Sequence, residues 1–313
     1  MVTDIEGRTV LVTGGAGFIG SHIVDALVPD NEVRVLDNLS TGVRTRLPDA
    51  VTLFDGDIRD ERLVAEAMAD VDLVFHQAAL VSVRRSVEKP VRSHEVNSTA
   101  TLRLLQTARR EDARVVLASS AAIYGPPETV PIPEDEPPAP TTPYGVQKLT
   151  LDRYAQLYHD LYGVETVALR YFNVYGPRQS GGDYSGVIRI FVDQARSGTP
   201  ITVEGDGTQT RDFVFVDDVV EANLCAATTS NVGRAYNVGT GERVSIRTLA
   251  EMIRDATDSD SRIVHRDPRP AAIEHSCAET SAARSDLGYR SEVSLSDGIE
   301  RLLASDTTET SSA

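Results

Sequence analysis

The chain of 313 residues lacks tryptophan, and it holds only two cysteines and two lysines. Cys225 and Cys277 form neither a metal-ligand spacing nor a disulfide framework, which favours a reducing cytoplasm. No apolar run approaches the roughly 18 residues that a membrane-spanning helix needs. The polar, acidic start of the chain indicates no signal peptide. These features argue against a disulfide-stapled secreted domain and against an integral membrane protein.

Positive charge is also scarce, since 47 acidic residues face 31 basic ones and the formal net charge is -16 at pH 7. Such a surface repels phosphate backbones, so we expect no nucleic-acid partner. Apart from Lys89 and Lys148, every cation is arginine. This composition favours a halophilic protein, because the Debye length falls to about 3 Å at 1 M salt and self-repulsion is then tolerated. An arginine-biased codon usage is the alternative.

Short apolar segments alternate with helical ones in the first half of the chain. Runs rich in β-branched residues predict strands at 8–13, 32–37, 51–54, 73–76, 114–118 and 165–171. The segments between them and beyond predict helices at 19–28, 59–69, 91–111, 144–162 and 217–228. This alternation predicts an α/β fold whose core is a doubly wound parallel sheet with right-handed crossovers.

The chain divides into two predicted domains. Residues 1–175 form the domain with the large sheet, and segments near 213–240 return to it. Residues 176–304, whose pattern breaks into shorter pieces, form a smaller mixed α/β domain. Proline-rich residues 125–143 are either a flexible linker or an ordered loop; strong signals on both sides favour the ordered loop. The Ser/Thr-rich tail 305–313 is predicted to be disordered.

A glycine-rich turn follows the first predicted strand and begins the first helix. Its glycines permit a tight turn and close approach of the backbone to a pyrophosphate, which the helix N-terminus would face. Asp37 ends the second strand, where a carboxylate binds ribose hydroxyls and repels a 2′-phosphate. We therefore predict a Rossmann-type domain that binds NAD. NADP is the alternative, because Arg34 and Arg44 are near Asp37 in sequence. The glycines are Gly14, Gly17 and Gly20.

Tyr144 and Lys148 stand four residues apart at the start of a predicted helix, and therefore on one face of it. A neighbouring ammonium stabilises a phenolate and makes a tyrosine usable as a base near neutral pH. Ser120 ends a predicted strand, where ligands bind in doubly wound sheets. These residues predict an acid–base site. A surface Tyr–Lys pair and an ordinary strand-ending serine are the alternatives.

Together these features resemble the extended short-chain dehydrogenase/reductase family, and within it the nucleotide-sugar 4-epimerases. The resemblance spans residues 9–289. The motifs that carry it are TGGAGFIGSH (13–22), DNLSTG (37–42), GDIRD (56–60), HQAA (76–79), SSAAIYG (119–125), PYGVQK (143–148), RYFNVYGPRQ (170–179), TRDFVFVDD (210–218) and YNVGTG (236–241).

The resemblance implies a set of site residues and no metal. The catalytic residues would be Ser120, Tyr144 and Lys148. NAD contacts would come from these three, from the glycines, and from Phe18, Ile19, Asp37, Asn38, Leu39, Ser40, Thr41, Gly42, Asp57, Ile58, Gln77, Ala78, Ala79, Leu80, Asn97 and Phe172. Substrate contacts would come from Ser120, Tyr144, Asn173, Val187, Val203, Arg211, Arg269 and Ser276. Asn173 and Arg211 would bind the substrate pyrophosphate, since an arginine offers paired donors to phosphate oxygens.

Ala121 and Ala122 distinguish the chain from other branches of the family. The 4,6-dehydratases carry an Asp-Glu pair at these positions, and the UDP-glucuronate decarboxylases carry a glutamate at the second. Without these acids, β-elimination and decarboxylation both lack the side chain that assists them. The reaction that the resemblance still implies is reversible hydride transfer at one carbon. The chain also departs from the usual Arg-Pro-Gly-Asp, since 269–272 read RPAA. The small Ser276 would leave room for an N-acetyl group.

The resemblance implies a cytoplasmic isomerase with tightly bound NAD. It would interconvert UDP-glucose and UDP-galactose, and their N-acetyl forms, through a 4-keto intermediate. A homodimer would form through helices 91–111 and 144–162, whose apolar residues also suit core packing: Leu102, Leu105, Leu151, Tyr154 and Leu157. The alternatives are a UDP-glucuronate 4-epimerase, a 2-epimerase, a 4-ketoreductase, a non-catalytic dinucleotide sensor and a steroid-type oxidoreductase.

Overall fold

A seven-stranded parallel sheet forms the centre of the molecule, in a computed structural model that describes residues 5–179, 186–268 and 273–310. The strands are Thr9–Thr13 (β1), Glu32–Asp37 (β2), Thr52–Asp55 (β3), Leu73–His76 (β4), Arg114–Ser120 (β5), Thr166–Tyr171 (β6), Asn173–Tyr175 (β7), Ile201–Glu204 (β8), Thr210–Arg211 (β9), Phe213–Phe215 (β10), Arg234–Val238 (β11), Val244–Ser245 (β12) and Ile263–Arg266 (β13). The large sheet has the order β11-β6-β5-β4-β1-β2-β3.

Helices connect and cover these strands. They are Phe18–Leu27 (α1), Glu61–Ala67 (α2), Val83–Glu88 (α3), Pro90–His94 (α4), Ala100–Glu111 (α5), Pro143–Tyr162 (α6), Val187–Arg196 (α7), Val216–Thr228 (α8), Ile246–Ala256 (α9) and Leu295–Thr310 (α10). All neighbouring strands in the large sheet run parallel. The predicted α/β fold with a doubly wound sheet is confirmed.

Side chains of each central strand alternate between two apolar layers, because successive residues of a strand point to opposite faces. In β1, Val10 and Val12 pack with α1 and α8, whereas Leu11 packs with α2, α5 and α6. The segment expected to return to the sheet supplies β11, which pairs with β6, and α8. Both faces of the sheet are therefore buried, as in other doubly wound folds.

A third apolar cluster lies outside these layers. It combines α7, β8, β10, α9 and α10 around side chains such as Phe191, Phe213 and Leu249. Short two-stranded pairs accompany it, with β8 beside β13, β9 beside β12 and β10 beside β7. The predicted loop 125–143 is ordered: Ile132 exchanges backbone hydrogen bonds with Cys277 and Glu279, which fixes it against this second part of the chain.

Two sequence predictions differ from the structure in detail. The chain is helical throughout 91–111 as predicted, but a π-helical turn at Glu95–Thr99 lies between α4 and α5. The predicted disordered tail begins too early, because α10 includes residues 305 and 306. Asp306 accepts hydrogen bonds from Arg189 at 2.9 Å and pairs with Arg196, so long-range ion pairs hold this end of the helix.

Candidate functional site

The predicted site residues gather at the carboxyl edge of the large sheet. β1 leads into the glycine turn, β2 ends at Asp37, β4 leads to Gln77 and β5 ends at Ser120. Parallel strands end at the same edge, and that edge is where ligands bind in open α/β sheets. Residues far apart in sequence therefore line one crevice.

The glycine turn is packed so closely that a side chain at Gly14 or Gly20 would collide with neighbouring backbone. Gly14 has φ +70°, and a Cβ there would lie 2.7 Å from the amide nitrogen of Ala78. A Cβ on Gly20 would collide with the carbonyl oxygen of Gly14. Helix α1 begins after Gly17 with no side-chain cap and no acidic residue in its first turn. Its amides therefore remain available to an anion, and the turn fits a dinucleotide pyrophosphate.

Asp37 is buried beside the glycine turn. Its Oδ2 accepts from the amide of Ala16 at 3.0 Å, and its Oδ1 accepts from the amide of Leu39 at 2.8 Å. Burial raises the pKa of this carboxyl. Each oxygen keeps a further lone pair for a ribose hydroxyl. Arg34 is turned to Glu32 at 2.8 Å, so its charge is already paired.

Two residues predicted to contact adenine follow β3. Ile58 is buried, and the Asp57 carboxylate pairs with Arg59 at 2.8 Å. This pairing holds the pKa of Asp57 below its usual range, and a hydrogen bond from Asn38 acts in the same direction. Arg59 also reaches Glu95 at 3.0 Å, so one guanidinium joins the β3 end to the π-helical turn.

Asn97 lies in the π-helical turn and clamps the loop 77–80. Its Oδ1 accepts from the amide of Leu80 at 2.8 Å, and its Nδ2 donates to the carbonyl of Leu80 at 3.1 Å. Nδ2 also donates to Gln147 Oε1 at 2.9 Å. Both amide hydrogens are committed to the protein, so this side chain shapes the predicted cofactor loop. Interruptions of this kind are frequent at functional sites.

His76 supports the same loop, a role that the sequence analysis missed. Thr101 donates to the carbonyl of Asn97, so its oxygen accepts from His76 Nε2 at 2.8 Å. His76 Nδ1 then accepts from Thr13 Oγ1 at 2.7 Å. Burial lowers the pKa of His76 to about 3, which keeps the ring neutral. A polar residue ending the apolar strand β4 was the available signal.

The three predicted catalytic residues are brought together. Ser120 ends β5, and Tyr144 and Lys148 lie one turn apart on α6. Ser120 is hydrogen bonded to Tyr144, and the ammonium of Lys148 lies 5.9 Å from the centre of the Tyr144 ring. Ser86 Oγ accepts from the amide of Tyr144 at 3.2 Å and steadies the first turn of α6.

Burial governs the electrostatics of this cluster. It raises the pKa of Tyr144 to about 12, an effect opposed by the hydrogen bond with Ser120. It lowers the pKa of Lys148 to about 8. Lys148 Nζ donates to the carbonyl of Ala118 at 2.6 Å and keeps two further hydrogens. The arrangement can pass a proton between a phenol and a bound hydroxyl.

A buried ion pair supports the end of β5 and was not predicted. Arg170 holds Asp152 at 2.9 Å, and Asp152 also accepts from Ser119 at 2.9 Å. Arg170 Nη1 donates to Tyr124 Oη at 2.8 Å and to the carbonyl of Glu134 at 2.7 Å. The pair therefore ties β5, β6 and α6 to the ordered loop. Breaking one partner of such a pair is strongly destabilising.

The predicted substrate residues lie farther along the chain. Arg211 donates to the carbonyls of Thr210, Ile273 and Glu274. In the described part of the chain no carboxylate pairs with it, and burial lowers the pKa of its guanidinium. Such a cation is prepared for an anionic ligand. Ser276 lies close by, since its amide donates to the carbonyl of Thr210 at 3.2 Å.

Other members of the predicted substrate set are placed differently. Asn173 donates its side-chain amide to the carbonyl of Asp212 at 2.9 Å. Val187 begins α7, whereas Val203 is fully buried in β8, so this structure does not expose it to a ligand. Phe172 is buried in a small cluster with Tyr124. Arg269 lies outside the described residues.

The sequence matches the NAD dependent epimerase/dehydratase family over residues 10–239. A UDP-glucose 4-epimerase of Mycolicibacterium smegmatis is 37% identical over 302 residues, which are 93% of this chain and 96% of that protein. None of the described helices has the length and apolarity to cross a membrane.

Solved structures agree with this match. A UDP-glucose 4-epimerase of Thermus thermophilus in complex with NAD is 40% identical, with a TM-score of 0.88 over 95% of this chain and 98% of that one. A UDP-N-acetylglucosamine 4-epimerase of Methanobrevibacter ruminantium in complex with UDP-N-acetylmuramic acid is 35% identical, with a TM-score of 0.93 over 97% of this chain and 100% of that one.

Proposed function

Because the chain belongs to the NAD dependent epimerase/dehydratase family, we propose that it is a UDP-sugar 4-epimerase that interconverts UDP-glucose and UDP-galactose. The observation that carries the proposal is the cluster of Ser120, Tyr144 and Lys148, in which alanine occupies both positions after Ser120. The short helix Ala121–Ile123 that follows Ser120 has no carboxylate in its first turn. The site therefore has an acid–base pair but lacks the helper that elimination or decarboxylation needs.

Bound NAD supplies reversible two-electron oxidation of the sugar carbon, and this chain supplies the proton chemistry. Tyr144 Oη removes the proton of the 4-hydroxyl and later returns one to the 4-keto oxygen. Ser120 Oγ orients that oxygen. Lys148 Nζ stabilises the phenolate, which burial alone disfavours, and its two remaining hydrogens would be available to a ribose hydroxyl of the dinucleotide.

The keto sugar must rotate within the site, to present its other face, without dissociating. Binding energy remote from the reacting carbon can hold it there. In this proposal Asn173 and Arg211 bind the diphosphate, which tethers the sugar while it rotates. Arg211 suits the task because three backbone carbonyls fix its position while its charge stays uncompensated within the described residues.

The N-acetyl forms are a second proposed substrate class. Two observations favour them: the structural similarity to the Methanobrevibacter enzyme, and the small side chain of Ser276 beside Arg211. A ketoreductase remains the main alternative activity. It would consume external NAD(P)H, whereas an epimerase returns to the sugar the hydride that it removes.

We also propose a cytoplasmic homodimer. Eight of the ten exposed large apolar side chains in the described part of the chain lie within residues 81–91 and 146–162. They cluster on α3, α4 and α6 and the segments beside them, where an exposed apolar patch marks an interaction site. Leu105 and Leu151 belong to the core, so the contact would use residues such as Val91 and Leu161. The two cysteines are buried and free, as suits a reducing compartment.

The test incubates the purified protein with UDP-galactose, without added reductant, and follows the anomeric proton by NMR. Appearance of UDP-glucose supports the proposal, and UDP-N-acetylgalactosamine tests the second class in parallel. Turnover that needs stoichiometric NADH would point to a ketoreductase. No turnover of either sugar by protein that retains NAD would refute the assignment of substrate.

Tyr144→Phe tests the proposed base. We expect turnover to fall by about 10²–10⁴-fold, because a general acid–base group contributes that much, while NAD binding stays close to wild type. Tyr162→Phe, an exposed tyrosine on the same helix, is the control. Unchanged kcat in Tyr144→Phe would remove Tyr144 from the mechanism.

A further inference from the structure

The carboxylate of Asp212 is fully buried and joins two loops. Its Oδ1 accepts hydrogen bonds from the amide of Thr240 at 2.9 Å and from Thr240 Oγ1 at 2.7 Å. Its Oδ2 accepts from the amides of Gly241 and Ala278, both at 3.0 Å. A carboxylate offers about four lone-pair sites, so all of them are occupied. None of the steps proposed above uses this buried charge.

The four donors compensate the charge of Asp212 without an ion pair. Burial raises the pKa of this carboxyl, and the hydrogen bonds from Thr240, Ala278 and Gly241 oppose that change. Arg211 is the preceding residue, and burial alone shifts the pKa of its guanidinium. Because the lone-pair sites of Asp212 are filled by other donors, the charge of Arg211 stays available for an anion.

The carboxylate of Asp212 also anchors the segment that fixes Arg211. The guanidinium of Arg211 donates to the carbonyls of Ile273 at 2.8 Å and Glu274 at 3.3 Å. The same segment pairs with β9. It then reaches Asp212 Oδ2 through the amide of Ala278. The position of the guanidinium therefore depends on a segment that the Asp212 carboxylate holds at its far end.

The backbone carbonyl of Asp212 fixes the other proposed diphosphate ligand. It accepts from the amide of Asn173 at 3.1 Å and from Asn173 Nδ2 at 2.9 Å. The second hydrogen on Nδ2 is left for a phosphate oxygen. Asn173 begins β7, whereas Arg211 ends β9. One residue, Asp212, thus contacts or anchors both of these separate donors.

We propose that Asp212 is a positioning residue for the substrate, whose hydrogen bonds hold Asn173 and Arg211 at the spacing that the diphosphate of a nucleotide sugar requires. The carboxylate itself does not touch the ligand. Donors fixed in advance lose less conformational freedom on binding, so their rigidity increases affinity. This inference rests on the proposed function and extends its substrate site.

The test compares Asp212→Asn with wild type, both loaded with NAD, by calorimetric titration of UDP. Asparagine keeps the shape of the side chain but turns an NH₂ group towards two of the four donors. We expect the Kd for UDP to rise about tenfold, which corresponds to about 1.4 kcal/mol. Coulomb attraction alone predicts the opposite sign, because the variant removes a negative charge near a site for an anion. An unchanged or lower Kd would overturn the inference.

The matched control is Asp218→Asn. Asp218 is also buried, and its carboxylate accepts from the amides of Glu292 at 3.0 Å and Val293 at 3.2 Å. Neither of these partners belongs to the proposed substrate site. We expect Tm to fall in both variants, because each leaves buried amides without their acceptor. The affinity for UDP should fall only in Asp212→Asn, and an equal loss in both variants would contradict a specific role for Asp212.

Steady-state kinetics of the proposed epimerisation give a second readout. In Asp212→Asn the KM for UDP-galactose should rise about tenfold while kcat stays within about threefold of wild type, because uniform binding is lost and the catalytic cluster is unchanged. A lower kcat with unchanged KM would overturn the inference. If Asp212→Asn does not fold, Thr240→Val removes one of the four bonds, and we expect a rise in Kd of about threefold.

Failure of the proposed function gives a different result. Wild-type protein that binds neither UDP nor UDP-glucose would overturn both the UDP-sugar proposal and this inference. Wild-type protein that binds both, with Asp212→Asn of equal affinity, would overturn the inference alone. A loss for UDP-glucose without a loss for UDP would also contradict it, because both ligands carry the diphosphate.

Discussion

At the scale of single residues, burial disfavours the charged forms of the two side chains that the proposed proton transfer uses. Lys148 is only 3% exposed, and burial lowers its pKa from 10.5 to about 8. Tyr144, its neighbour, has its pKa raised to about 12 by the same cause. Both charged forms are disfavoured alone, so each is stabilised when the other is present. The site thus favours the phenolate–ammonium pair over either ion by itself.

Lys148→Met should stabilise the protein below pH 8. The pKa of Lys148 is lower in the folded state than in the unfolded state, so the buried charge lowers the free energy of unfolding of the wild type by its full amount below pH 8. That loss is recovered between about pH 8 and 10.5. We expect the variant to exceed wild type by roughly 1–3 kcal/mol at pH 7, with the difference vanishing near pH 10.5. Urea unfolding at both pH values measures this.

Lys89→Met is the matched control, because it removes the other lysine from an exposed position. It should change stability little at either pH. Loss of turnover in Lys148→Met, with higher stability, would show that the lysine is retained for function. A destabilised Lys148→Met at pH 7 would contradict the account of its burial.

At the scale of elements, regular segments could be predicted from the sequence and the irregular ones could not. The strands of the large sheet follow from β-branched runs, since both of their faces are buried. The π-helical turn at Glu95–Thr99 has no local signal such as glycine or proline. It coincides with Asn97, whose partners Leu80 and Gln147 lie on other segments. Only the folded chain brings these residues together.

The site shows the same division. The proximity of Ser120, Tyr144 and Lys148 could be predicted, because strand ends and helix spacing are local features. His76 could not be given a role, because that role depends on which atoms of distant segments reach its ring. The two-residue strands β9 and β12 also lack a sequence signal, since they exist only as a pair.

The glycine turn leads to a prediction for Gly20→Ala. The added Cβ would collide with the carbonyl of Gly14, so the turn must open and its amides must move away from the pyrophosphate. We expect NAD affinity to fall by at least tenfold. Gly163→Ala, which has φ +74° but open space around it, controls for general destabilisation. Equal NAD affinity in both variants would argue against the turn as the cofactor site.

The apolar surface of α6 leads to another prediction. Leu161 is 65% exposed, so Leu161→Arg should leave the fold intact and place a buried charge in each half of the proposed dimer contact. Light scattering should then give about half the wild-type mass. Ile190→Arg, on α7, is the control. A wild-type monomer, or an unaffected variant dimer, would contradict the proposed contact.

At the scale of the whole molecule, the net charge of -16 sets the response to salt. Mutual repulsion of acidic groups opposes the compact state, and salt screens it. Arginine–carboxylate pairs on the surface are weakened by the same screening, but each contributes only about 0–1 kcal/mol. We therefore expect a net stabilisation by salt.

Thermal unfolding in 0.1 M and 2 M KCl tests this expectation, and Tm should rise by several degrees. Chloride is preferred to sulfate, because sulfate also strengthens apolar burial. The UDP-galactose assay at both concentrations shows whether activity follows stability. A lower Tm in 2 M KCl would count against a halophilic adaptation.

The scarcity of lysine has a practical consequence for labelling. The chain offers only two side-chain primary amines, an exposed one at Lys89 and a buried one at Lys148. Apart from any free α-amino group, which reacts readily because of its lower pKa, an acylating reagent would therefore modify Lys89 first and give a nearly uniform conjugate among the side chains. Later acylation of Lys148 would require the crevice to open. Its rate, read by mass spectrometry with and without NAD, would measure how often the proposed catalytic cluster becomes accessible to solvent.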